Sequence, residues 1–364
     1  MRPGLAVAVK AKAFVRLAGW LGPWTHQART PERVRSVVVD GTWSGRPVKV
    51  RRYNPRGRPH GVVILALGLH YQGPDDPRAD RFARVLADSG VIVWAPYVPT
   101  FQGLRLDPDA IAEFRDAVAF VLDRTEGTVG LMSVSFGSVL ALRVASDGQL
   151  ADRFHRVTTF GGLVDLDASL RHALHGPAGA PAEGADLSRN LPVVWLQLLP
   201  HLPLAPQDSA QLRAAWHRFV RHVWPEGPLA HDRSAQIVVA HELARALPEG
   251  LRPQFLAGCG ATVDGLTGAL QRLYLLDAGQ LDVRPYLAGL RAQVDIVHGS
   301  DDMVIPASQA EVLRGALPPH IRARVHVTGL AGHTGVSGGP HEVLAGAGTL
   351  AGVLWSLAAL GVAA

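Results

Sequence analysis

The chain has a single cysteine, Cys259, among its 364 residues, which excludes an intrachain disulfide. A reducing compartment fits this, and the cytoplasm is the expected location. Lysine is nearly as scarce. Lys10, Lys12 and Lys49 are the only ones, so the formal net charge of +5 is carried by arginine. No basic run is interleaved with aromatics, which argues against a nucleic-acid partner. The charged fraction is low, 18%, against 48% apolar, the balance of an ordinary globular core in one large domain or two modest ones.

An unbroken apolar stretch is also missing near the N-terminus. Residues 5–22 are apolar but carry Lys10, Lys12 and Arg16. That removes the uninterrupted centre of a signal peptide and the roughly 20 apolar residues of a spanning helix. Val7, Phe14, Leu17 and Leu21 share one helical face, with Lys12 and Arg16 opposite. Residues 1–30 are therefore expected to hold an amphipathic helix that docks on its own domain. Peripheral contact with a membrane through this helix is the alternative.

The most informative segment present is residues 130–137, GLMSVSFG. It reads as a buried strand that breaks at Ser135 and restarts as a helix. Ser133 and Gly137, two residues either side, are small, as a strained turn with crowded flanks requires. The bland alternative is an ordinary strand-to-helix turn with Ser135 as N-cap. Around it, residues 33–40 and 47–53 read as a hairpin with its turn in 41–45. Buried strands are expected at 60–68, 91–98, 128–134, 156–160, 293–298 and 322–329. Helices are expected at 78–88, 108–124, 136–145, 307–317 and 341–360. The alternation predicts a mostly parallel sheet flanked by helices. It lapses between about 165 and 290, where only helical patches at 208–222, 234–247 and 262–275 are visible. The Gly/Ala/Pro-rich residues 175–184 look like a flexible entry to that region.

The 130–137 pattern resembles the nucleophile elbow of the α/β-hydrolase superfamily, with Ser133 where glycine is usual. A capped, esterase- or lipase-like member is the best match, and it implies an α/β-hydrolase fold with a helical cap inserted after the sixth strand. The expected organisation is an N-terminal helix at 1–30, a core at 31–164 and 288–364, and a cap at 165–287. In this superfamily the chain order is serine, acid, histidine. Residues 294–306, VDIVHGSDDMVIP, resemble the segment that carries the acid, which makes Asp302 the acid, Asp301 a turn or capping residue and His298 structural. Asp165, after the sixth strand, is the alternative acid. His333, in the glycine-rich loop after the last strand, is the expected base, with His341 as fallback. The oxyanion donors implied are the N–H groups of Phe136 and Leu69, with His70 as an alternative to Leu69, because Leu67 replaces the histidine usual before Gly68.

A serine hydroxyl needs a base, and the base needs an acid, before it attacks a carbonyl. The expected activity is thus hydrolysis of a small-molecule carboxylic ester through Ser135, His333 and Asp302, with no cofactor. Trp195, Trp216 and Trp224 suggest an apolar acyl or alkyl group, or else fill the core of the cap. An acyltransferase, a peptidase, and a non-catalytic protein that binds a ligand or membrane are the alternatives. Metal readings fail: His241-Glu242 lacks a histidine four residues on, and His217 and His222 are five apart. His172 and His175 are a weak pair, the glycines from Gly346 to Gly352 do not make a dinucleotide fingerprint, and Cys259 reads as a packing residue.

Overall fold

The computed structural model describes residues 3–21, 29–176, 187–329 and 347–363. Its centre is one sheet of eight strands: β1 (Arg35–Trp43), β2 (Arg46–Asn54), β3 (Gly61–Ala66), β4 (Val91–Pro96), β5 (Val129–Val134), β6 (Phe154–Phe160), β7 (Gln293–Gly299) and β8 (Ala323–Thr328). Their spatial order is β1-β2-β4-β3-β5-β6-β7-β8. β2 runs antiparallel to β1 and β4, and the remaining neighbours are parallel. This order, with helices on both faces, is that of the α/β-hydrolase fold.

The central strands are continuous apolar runs because both faces are covered. Val63 and Leu65 of β3 and Val91 and Val93 of β4 face one core, while Ile64, Ala66 and Trp94 face the other. The first core lies under α1 (Pro3–Leu21), α2 (Pro77–Asp88) and α13 (Ala347–Ala359). The second lies under α4 (Asp109–Asp123), α5 (Gly137–Ala145) and α12 (Ser308–Ala316). Each fully buried leucine or isoleucine here contributes on the order of 2 kcal/mol. α2 starts where Asp76 accepts hydrogen bonds from Arg78 N–H and Ala79 N–H, with Pro77 in the first turn. It ends at Gly90, whose φ of +111° suits glycine.

The hairpin turn is tighter than expected. β1 continues through Gly41 to Trp43, which pairs with Arg46, and the two-residue turn is Ser44-Gly45, with φ of +50° and +79°. Gly41 pairs with Val48 within β1, and a Cβ there would run into the Phe120 ring, so this strand position favours glycine.

α1 docks on the core through Ala13 and Leu17. Phe14 and Trp355 lie 6.2 Å apart, and Trp20 Nε1 donates to Asp88. Two residues differ from the expected face. Arg16 reaches inward to donate to the Asp88 carbonyl, and Val7 points to solvent. Residue 22 lies outside the described residues.

Between β6 and β7 the described residues form helices and short turns only: α6 (Leu166–His175), α7 (Leu187–Leu198), α8 (Pro206–Val223), α9 (Arg233–Ala244), α10 (Arg252–Gly258) and α11 (Val263–Arg272). Trp195 and Trp216 are buried here with ring centroids 6.3 Å apart. Their indole N–H groups donate to the carbonyls of Gly265 and Phe255. They belong to the same buried cluster as the second core of the sheet. Residues 177–184 of the expected flexible entry lie outside the described residues. Among the described residues, no helix is long and apolar enough to cross a membrane.

Candidate active site

β5 ends at Val134, and the chain turns at Ser135 with φ of +55°, one of three non-glycine residues in the left-handed region among those described. Such a conformation costs on the order of 1–3 kcal/mol, so the surroundings must impose it. They do. Ser135 N–H donates to the Phe160 carbonyl at 2.8 Å, and its own carbonyl accepts from Ser138 N–H at 2.9 Å. The flanks have no space. A Cβ on Gly68 would lie 3.0 Å from Ser135 Cβ, and one on Gly137 would collide with the carbonyls of Ala66 and Leu67. Ser133 pairs with Ala66 across β3 and is fully buried, and among the described residues its hydroxyl has no hydrogen-bond partner. Gly137→Ala is expected to lower unfolding free energy by about 2 kcal/mol or more, because the clash is with backbone, and urea denaturation measures it.

Ser135 itself is 7% exposed. α5 begins two residues later and directs its first amides at the turn. Phe136 N–H follows the serine directly, and Leu69 follows Gly68, which touches it. Among the described residues neither N–H donates to another protein group.

Asp302 lies just past the end of β7, on the same edge of the sheet and two strands from β5, about 10 Å at the usual strand spacing. It is buried. Its Oδ1 accepts from Val304 N–H and Ile305 N–H, both at 2.9 Å, and its carbonyl accepts from His172 Nε2 of α6 at 2.8 Å. His298 is fully buried and donates to the Ile305 carbonyl at 2.9 Å, bracing the same loop, with its Nε2 3.7 Å from Asp302 Oδ2. Asp165 is instead the N-cap of α6, accepting from Ala168 N–H.

β8 ends beside this loop. Gly299 pairs with Thr328, and Ser300 N–H donates to the Thr328 carbonyl. The segment that follows, with His333 and His341, lies outside the described residues, as does Gly346. Cys259 is buried, and burial pushes its thiol well above the usual range.

One cluster escaped the sequence reading. His70 follows Leu69 directly. Its Nδ1 accepts from Gln72 N–H, so its Nε2 carries the hydrogen and meets Asp76 Oδ2 at 3.3 Å. The contact is a hydrogen bond rather than an ion pair, because burial, aided by Arg78 and Arg189 and opposed by Asp76, pushes the imidazole down to about 4. Burial would raise the Asp76 carboxyl, but hydrogen bonds and charge from Arg78 outweigh it and hold it below its usual value. Trp224, from the insertion, stacks on His70 with centroids 5.2 Å apart, and Tyr71 stacks at 4.7 Å. The insertion thus grips the loop that carries Leu69. The helix at 78–88 was expected from sequence, whereas nothing local ties Trp224 to His70.

This histidine predicts a pH effect. Its folded value is lowered, so between pH 6.5 and about 4 the unfolded chain binds more protons, and stability falls as the pH falls through that window. The loss is about 3 kcal/mol. His70→Phe keeps a ring in the stack and is expected to flatten the pH dependence of the unfolding midpoint.

No protein-family model matches the chain, and no curated protein matches it. Solved structures resemble it more loosely. A 2,6-dihydroxy-pseudo-oxynicotine hydrolase is 17% identical over 90% of this chain and 68% of its own, with a TM-score of 0.48. An esterase of the fungus Rhizomucor miehei is 15% identical over 99% of this chain and 98% of its own, also at 0.48. The Pyrococcus horikoshii acylaminoacyl peptidase is 11% identical over 82% of this chain at 0.44, and this chain spans only 37% of its length. Strand order and the left-handed turn at Ser135, independent of these likenesses, give the chain the α/β-hydrolase fold.

Proposed function

We propose that the protein is a serine hydrolase of carboxylic esters. The observation that carries this is Ser135, held at φ +55° between a strand and a helix with glycine at both close approaches. A residue with only a capping role has no need of that strain.

In the proposed reaction Ser135 Oγ adds to the acyl carbon while His333 takes its proton. The negative oxygen of the tetrahedral intermediate is held by Phe136 N–H and Leu69 N–H. The intermediate collapses as His333 protonates the departing alcohol, which leaves an acyl-enzyme. Water then adds with His333 again as base, and the acid is released. Asp302 fixes the tautomer of His333 and stabilises its charged form. The chemistry requires no cofactor. Leu69, Tyr71, Phe136 and Trp224 support a preference for apolar acyl or alkyl groups.

The test is hydrolysis of para-nitrophenyl esters of graded chain length, with intact-mass detection of the acyl-enzyme. The expected result is turnover with a transient acyl adduct mapped to Ser135. Hydrolysis no faster than buffer across the series, by folded protein, would contradict the proposal.

A further inference from the structure

A helix docked on its own core ordinarily turns charged residues outward. α1 does not. Ala8, Ala11, Val15 and Gly19 are exposed along its outer side, with Lys12 the one charge among them. Leu5, Val7 and Val15 are 57%, 59% and 68% exposed. Beside the helix runs an open groove walled by Phe14 and Val15 of α1, Ala351 and Trp355 of α13, and Arg324 and His326 of β8. β8 is the sheet's edge strand; Arg324 and His326 face the groove, while Val325 and Val327 alternate to the other side. Ten large apolar side chains are exposed among the described residues, and three of them, Leu5, Val7 and Val15, lie on α1. Such clustering marks a docking surface rather than scattered surface noise.

Charge selects the occupant. α1, β8 and α13 carry no acidic residue, while Lys12 is exposed on the outer side of α1 and Arg324, 42% exposed, lines the groove. The acid beneath them, Asp295, is fully buried and bound by both Arg156 and Arg324. A second copy docked here by twofold symmetry would bring like charges together. An anionic bilayer would meet cations at the depth of its headgroups and apolar side chains just below. From this we infer that α1, α13 and β8 form a docking face for the surface of an anionic membrane, on which the protein lies without spanning. This holds whether or not Ser135 is catalytic.

The experiment is co-sedimentation of the full chain with vesicles of phosphatidylcholine, with or without phosphatidylserine, beside Val15→Asp, Lys12→Glu and the control Val238→Asp. Val15, Lys12 and Val238 are exposed, so the variants should fold, and circular dichroism checks that they do. The expected result is binding to phosphatidylserine vesicles that fades with added salt. Val15→Asp and Lys12→Glu should each weaken it about tenfold, with Val238→Asp unchanged. Absence of binding, or equal binding by all variants, would overturn the inference. So would a dimer in analytical ultracentrifugation that Val15→Asp dissolves without any vesicle binding, which would assign the face to a second copy.

Discussion

Replacing Ser135 with alanine is expected to lower ester turnover by about 10⁴-fold or more, to whatever the oxyanion donors and binding alone sustain. The fold should survive, because alanine and serine tolerate a φ of +55° about equally. Ser135→Gly separates strain from chemistry. It should abolish turnover equally and raise unfolding free energy by about 1 kcal/mol, because glycine adopts this conformation without a steric penalty. Loss of activity together with a gain in stability is the signature of a residue kept under strain for function. A plain turn residue would show the gain in stability alone. Turnover and urea denaturation of the two variants separate these cases.

The second large effect belongs to Asp302. Its Oδ1 ties down Val304 N–H and Ile305 N–H inside a loop braced by His298 and His172. Asparagine keeps an oxygen for those two bonds and loses the charge. Asp302→Asn is therefore expected to leave the melting temperature within a few degrees while lowering kcat by about 10⁴-fold, because an amide no longer holds the base in its working tautomer. Asp302→Ala should lose both turnover and stability, since two buried N–H groups would be left without their acceptor. Asp302→Asn turnover near that of the parent, with Asp302→Ala merely unstable, would reduce the residue to a loop brace.

Much of the core was legible in the sequence for a physical reason. Strands covered on both faces, such as β3, β4 and β7, must be apolar throughout, and their helices start and stop at prolines, acids and glycines. The strand ends that carry Ser135 and Asp302 were legible because each residue sits in a short local pattern. What was hidden depends on contacts distant in sequence. Gly41 signals a turn, yet it pairs with Val48 inside β1, where Phe120 from α4 leaves no room for a Cβ. Pro192 discourages a helix, yet α7 runs through it, with Leu191, Val194 and Trp195 buried. The tryptophans of the insertion look alike in sequence, but Trp195 and Trp216 pack inward while Trp224 reaches His70. That grip connects the insertion to the loop of Leu69, where the sequence marks His70 only as an alternative oxyanion donor.

The most direct measurement is labelling of folded wild-type protein with a fluorophosphonate probe, followed by peptide mapping. The proposed mechanism predicts one probe per chain, attached to Ser135, and none on Ser135→Ala. Unlabelled wild-type protein, or a label that persists on Ser135→Ala, would contradict the assignment of Ser135 as an activated nucleophile.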